Sequence, residues 1–142
     1  MTENFDSAFS LTIAFEGGDK VTNDPNDPGG LTKWGISKRA NPDLDIENLT
    51  KEQAKDIYRK RYWEQAGCDL LPYPIDVFVF DSAVNMGVLR AKKMVEDAGW
   101  DPTRYLLKRI DRYIEICNAN QKMKQYFFGW TSRVLKLFKI LG

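Results

Sequence analysis

Eight consecutive residues near the N-terminus, Asn23-Asp24-Pro25-Asn26-Asp27-Pro28-Gly29-Gly30, are almost all turn formers. Proline fixes φ and lacks a backbone donor, while Asn, Asp and Gly tolerate left-handed backbone. No helix or regular strand runs through such a block. The segments on either side have a helical period. Phe5, Phe9 and Ile13, with Ala8, Leu11 and Phe15, predict a first helix over residues 4–16, closed by Gly17-Gly18. Residues 19–35 then form a turn-rich loop or a small β-hairpin, and Ser37 stands where it would cap a short helix.

Downstream, Thr50-Lys51-Glu52-Gln53 is a capping box that opens a helix reaching Ala66. Pro74 suits the first turn of a helix ending at Met86, with Gly87 as its stop. A helix over 88–98 stops at Gly99, and Asp101-Pro102-Thr103 starts another through Asn118. The last runs from Gln121 to Leu141, with Trp130, Val134, Leu137, Phe138 and Leu141 as one apolar stripe. The chain shows no repeat, low-complexity tract or clear linker. Its 142 residues suit one compact domain, and 43% hydrophobic content supplies a core. The expected fold is a mainly α, single domain over 1–142 with one Gly/Pro-rich loop or small hairpin near the N-terminus.

The chain has no histidine. Ser-His-Asp and Cys-His nucleophilic machinery and His-ligated zinc are thereby excluded, which leaves carboxylates for hydrolytic acid–base work. Cys68 and Cys117 are not in a CxxC pair, so a metal knuckle is not expected. Both lie in apolar stretches that read as helical, where cysteine serves as a small hydrophobe, and the sequence leaves a disulfide between them open. Asp24, Asn26 and Asp27 resemble the start of a calcium loop. The pattern fails because Pro28 stands at an acidic position and Gly35 where Glu is required. No metal and no cofactor are expected.

Charge is split along the chain. Residues 1–87 hold 9 basic and 15 acidic side chains, a net of −6, and residues 88–142 hold 12 and 5, a net of +7. The basic rear suits either a polyanion or solvated helix faces. Arg133, Lys136 and Lys139 interleave the last apolar stripe, so that helix either lies on anionic lipid or packs into the domain, and packing is the preferred reading. The start of the chain lacks the basic and apolar regions of a secretory signal, and no apolar run reaches the ~18 residues that span a membrane. Synthesis in the cytoplasm, without stable membrane insertion, is expected.

Glu16 ends an otherwise apolar helix, between Phe15 and Gly17. The negative end of the helix dipole and partial burial both favour its protonated form, as a general acid requires. A frayed, exposed glutamate is the plain alternative. Glu16 does not stand alone. Glu16-Gly17-Gly18 is followed by Asn23-Asp24-Pro25, then Asp27-Pro28-Gly29-Gly30, then Thr32-Lys33-Trp34-Gly35-Ile36-Ser37. In this order and spacing the sequence resembles glycoside hydrolase family 108, the bacterial and phage muramidases. Asp81-Ser82-Ala83-Val84-Asn85-Met86-Gly87 with Arg90-Ala91 resembles a second family segment, and Gly129-Trp130-Thr131-Ser132-Arg133-Val134 a third. Asp19 and Trp34 replace tyrosines of the family pattern. After residues 88–99 a peptidoglycan-binding stretch is shortened.

The resemblance implies a lysozyme-like helical domain that hydrolyses the β-1,4 bond between N-acetylmuramic acid and N-acetylglucosamine, with Glu16 as the acid. Residues 1–87 would be the catalytic half and 88–142 a reduced peptidoglycan-binding region. A second carboxylate is needed, and Asp24 and Asp27 are the candidates, with Asp19 weaker. The order Glu, Asp, Thr-x-x-Gly also resembles phage-type lysozymes, which adds Thr32. Asp24 and Asp27 alternatively build turns. Asp81 and Asn85, four apart on one helix face, either line the sugar cleft or satisfy each other and nearby backbone. Asp19 and Trp34 complete the candidate sugar contacts, while Tyr62 and Trp63 read as core. The implied partner is peptidoglycan, with no nucleic acid, and the implied state a monomer that reaches the periplasm after release, through a holin. A catalytically silent wall-binding or secretion-regulating protein of the same fold is the alternative.

Overall fold

The computed structural model describes residues 2–23 and 30–142, so most of the turn-rich block, with Asp24 and Asp27, lies outside the described residues. The fold is mainly α, as expected. Helices α1 (Thr2–Phe15), α2 (Lys51–Tyr58), α3 (Ile75–Met86), α4 (Val88–Asp97), α5 (Pro102–Ala119) and α6 (Phe127–Phe138) surround one core. Strands β1 (Thr32–Lys33) and β2 (Ile36–Ser37) form a small antiparallel hairpin.

Helix α3 is the centre. Every residue from Ile75 to Ala83 is buried, so this helix has no solvent face and packs against α1, α4 and α5. Beside it, Phe5 of α1 meets Trp63 and Phe80, and Phe9 meets Tyr58, edge to face at centroid distances of 5.4–5.6 Å. The buried cluster runs from Phe5 to Leu137 and so crosses the charge boundary at Gly87.

Three elements differ from the sequence reading. The helix opened by the Thr50 capping box changes to a π turn over Arg59–Trp63, where the Glu64 amide donates to the Arg59 carbonyl. Tyr58 and Trp63 are five apart, and the wider turn lets both enter the core, at 2% and 0% exposure. Ser37 caps no helix; its hydroxyl accepts from the Ala40 amide, and Pro42 holds the preceding residue away from helical backbone. The last helix is in three parts, a 3-10 stretch over Gln121–Tyr126, then α6, then a 3-10 turn over Lys139–Leu141. Of its stripe, Val134 and Leu137 are buried, whereas Phe138 and Leu141 stay exposed.

Cys68 and Cys117 are both free and buried. No described helix is long and apolar enough to cross a membrane.

Candidate active site

Glu16 is the residue at which α1 ends. Gly17 follows with φ +95°, and the Gly18 amide donates back to the Ile13 carbonyl at 2.9 Å. This is a Schellman-type stop, and Gly17 meets its demand for left-handed backbone. The stop places Glu16 at the helix end and turns the chain toward the hairpin.

The hairpin is built against Glu16. Lys33 pairs with Ile36, so Trp34-Gly35 is a two-residue turn, with φ +55° and +71°. Positive φ at both positions marks a type I′ turn, where a tryptophan is unusual. Three hydrogen bonds hold it there. The Trp34 amide donates to the Gly18 carbonyl at 3.2 Å and its indole to the Leu49 carbonyl at 3.1 Å. Its carbonyl accepts from the Tyr58 hydroxyl at 2.8 Å. A Cβ on Gly35 would collide with that hydroxyl and lie 3.0 Å from the Glu16 Cβ. Only glycine lets the turn approach this closely.

The Glu16 side chain is 29% exposed, and Arg133 Nη1 of α6 lies 3.6 Å from its Oε1. Burial pushes its pKa above the ordinary 4.5; Arg133 opposes the shift and Asp81 adds to it. The direction is the one read from the sequence. The carboxylate that adds to it is Asp81, 65 residues further along the chain. Tyr58 is also pushed up, by burial and then by Glu16.

Asp81 does not line a cleft. It is fully buried, and its carboxylate accepts a fork from Arg133, with Nη2 to Oδ1 at 2.9 Å and Nε to Oδ2 at 3.0 Å. Arg109 Nη1 lies 2.8 Å from Oδ2, and the Thr12 hydroxyl donates at 2.7 Å. Burial alone would raise this carboxyl, but the two guanidiniums and these hydrogen bonds outweigh it and hold it below the ordinary range. The expectation that Asp81 binds sugar is therefore corrected. An arginine-saturated, solvent-free carboxylate has no lone pair to offer a ligand. Nor do Asp81 and Asn85 satisfy each other. Half-buried Asn85 accepts from the Tyr113 hydroxyl, which accepts in turn from Arg109 Nε at 2.8 Å.

Of the remaining candidates, Thr32 is half-buried in β1 and donates to the Gly30 carbonyl at 3.1 Å. Trp34 is half-buried with its indole N–H committed to Leu49. Asp19 is exposed on the turn after α1. Among the described residues, no group of three or more Asp, Glu or Cys is placed to hold a metal ion.

Sequence reasoning missed Arg133 and Tyr58 as neighbours of Glu16. The only signal for Arg133 was its place in the third family-like segment, and for Tyr58 there was none.

The model of the family described as Glycosyl hydrolase 108 matches residues 9–87, from within α1 through Glu16 and the hairpin to the end of α3. The chain belongs to glycosyl hydrolase family 108. It is thus a glycoside hydrolase, of a family that supports hydrolysis of peptidoglycan. Among solved structures the chain is similar to that titled "Structure of Brucella abortus SagA". The identity is 26% and the TM-score 0.75, over 96% of this chain and 92% of that one. That likeness extends through α4–α6, which the family model does not reach. No curated protein matches.

Proposed function

We propose that the chain is a muramidase that cleaves the β-1,4 bond between N-acetylmuramic acid and N-acetylglucosamine in peptidoglycan, with Glu16 donating a proton to the leaving oxygen. The observation that carries this is a carboxyl with a raised pKa whose side chain is still 29% exposed, at the end of α1 beneath the hairpin. A proton held there can be delivered to a bound glycan. Asp24 or Asp27 supplies the second carboxylate, as a nucleophile at roughly 5 Å or a base for water at roughly 6.5–9.5 Å. Thr32 takes part in catalysis, and Asp19, Trp34 and Asn85 contact the sugars. In this reading the protein is an endolysin-like monomer, made in the cytoplasm and released through a holin to the wall.

Purified protein is expected to clear permeabilised Gram-negative cells and Glu16→Gln to lose that activity by about 100-fold or more. Equal clearing by both would overturn the role of Glu16. Clearing by neither would favour a catalytically silent wall-binding or secretion-regulating protein. Fragments should carry reducing ends at muramic acid; reducing ends at glucosamine, or free peptide amines, would sink the muramidase reading. Anomeric NMR of the first product separates inversion from retention.

A further inference from the structure

Two arginines converge on Asp81, although one would balance its charge. Arg109 is wholly buried and bonded also to Ser82 and Tyr113. Arg133 is different. Its Nε and Nη2 are spent on Asp81, and that fork leaves Nη1 directed at Glu16 Oε1, 3.6 Å away. Its guanidinium carbon also lies 4.7 Å from the centre of the Phe15 ring, next in sequence to Glu16. The side chain is therefore clamped from both sides, by a carboxylate and by an aromatic face.

We propose that Arg133 is a positioning residue for Glu16, aimed by Asp81, and that it receives the negative charge left on Glu16 when the proton is transferred to the glycan. This rests on Glu16 being the acid of the proposed muramidase. With Glu16 protonated, the buried cluster of Asp81, Arg109 and Arg133 carries one excess positive charge. With Glu16 ionised, two carboxylates face two guanidiniums. The excess cation thus favours the Glu16 carboxylate against the opposition of burial, and it does so in fixed geometry with no rearrangement at the moment of transfer. Among the described residues, other groups on this side are the Tyr58 hydroxyl from α2, which Glu16 pushes up, Lys136 of α6 over the Phe15 ring and, three residues along the chain from Glu16, the exposed Asp19. Of these only Lys136 is a cation, and it lies 5.7 Å from that ring centre. Arg133 is 46 residues beyond Gly87, so the acid of the front half would be completed by α6 of the rear half.

The test combines turnover with a titration that needs no substrate. In protein labelled at glutamate Cδ, with Glu16→Gln used to assign the signal, carbon NMR follows the Glu16 carboxyl in wild type, Arg133→Gln and Arg133→Lys. Arg133→Gln is expected to titrate at higher pH than wild type, to move the alkaline limb of the pH–lysis profile the same way, and to lose about 10- to 100-fold in kcat. Arg133→Lys keeps the charge but not the fork. Its titration should stay near wild type while kcat falls at little-changed KM. An unaltered Glu16 titration in folded Arg133→Gln overturns the proposal. If Arg133→Gln does not fold, unaltered kcat in Arg133→Lys overturns it instead. If wild type hydrolyses nothing, the muramidase reading fails while the titration still decides what Arg133 does to Glu16.

Discussion

Two carboxylates touch the same guanidinium and have their pKa values driven in opposite directions. Asp81 lies in the interior on α3, with no exposure, and is held ionised below the ordinary aspartate range. Glu16 lies at the end of α1, partly open to solvent, and is pushed above the ordinary glutamate range. Burial by itself would predict the reverse order, because the more buried acid should be the more protonated. Partner count and geometry decide instead. Asp81 accepts a fork from Arg133, an ion pair from Arg109 and a hydroxyl from Thr12, enough to outweigh its desolvation. Glu16 has only the third nitrogen of an arginine already committed elsewhere, at 3.6 Å. A pair of acids with separated pKa values is the arrangement that lets one donate a proton while the other keeps its charge.

The largest effect should come from breaking the interior side. Asp81→Asn leaves Arg109 buried without a counter-charge and Arg133 with only its 3.6 Å contact to Glu16, and should cost about 3–5 kcal/mol, read as a lower urea midpoint. It should also flatten an acid limb. The depressed pKa of Asp81 contributes stability that is complete above its unfolded value, near 3.8, and that is lost as pH falls through the lower folded value. If Asp81→Asn unfolds at the wild-type midpoint, the paired guanidiniums do not hold the core.

The hairpin that covers Glu16 is the next lever. Gly35→Ala places a Cβ against the Tyr58 hydroxyl and the Glu16 Cβ on left-handed backbone. It should lower stability by about 1–3 kcal/mol and reduce lysis, while Ala at an open glycine such as Gly129 should not. Thermal unfolding of the two variants side by side checks this.

Glu16 itself should show the opposite sign from Asp81. Its raised pKa means that wild type loses stability relative to Glu16→Gln as pH rises from the unfolded value, near 4.5, through the folded one. The two proteins should be equally stable in acid and separate by no more than about 1 kcal/mol at neutral pH. Wild type gaining on the variant as pH rises would reverse the assignment. The smallest change is expected at the surface. Lys55 and Asp6 are 3.0 Å apart, with the aspartate 61% exposed, so Lys55→Ala should cost less than about 1 kcal/mol and lose its effect in high salt.

Much of the fold could be read because its signals are local. Gly17 stopping α1, Thr50 and Gln53 opening α2, and Gly87 separating α3 from α4 each act within one helical turn, where residue type alone decides backbone conformation. The π turn escaped because its cause, the joint burial of Tyr58 and Trp63, is set by the shape of the core. The Trp34-Gly35 turn was legible only as a possible hairpin. Tryptophan has no preference for left-handed backbone, and what holds it there comes from Gly18, Leu49 and Tyr58.

Chemistry divided the same way. The missing histidines, the Glu-Gly-Gly stop and the block shared with family 108 were enough to make Glu16 the candidate acid. The identity of its neighbours was not accessible. Asp81 reads as a polar residue on an apolar helix, and nothing in its local sequence distinguishes a carboxylate facing sugar from one facing two arginines. Those arginines lie 28 and 52 residues further along. Helical period tells which face of a helix is covered, but only the packing of α3 against α1 and α5, with α6 reaching in, tells what covers it. The sequence by itself therefore determined most of the helices, their stops and the candidate acid. The tertiary structure decided which of the two carboxyls is pushed up and which down, because that depends on how many charges from distant segments arrive, and at what distance.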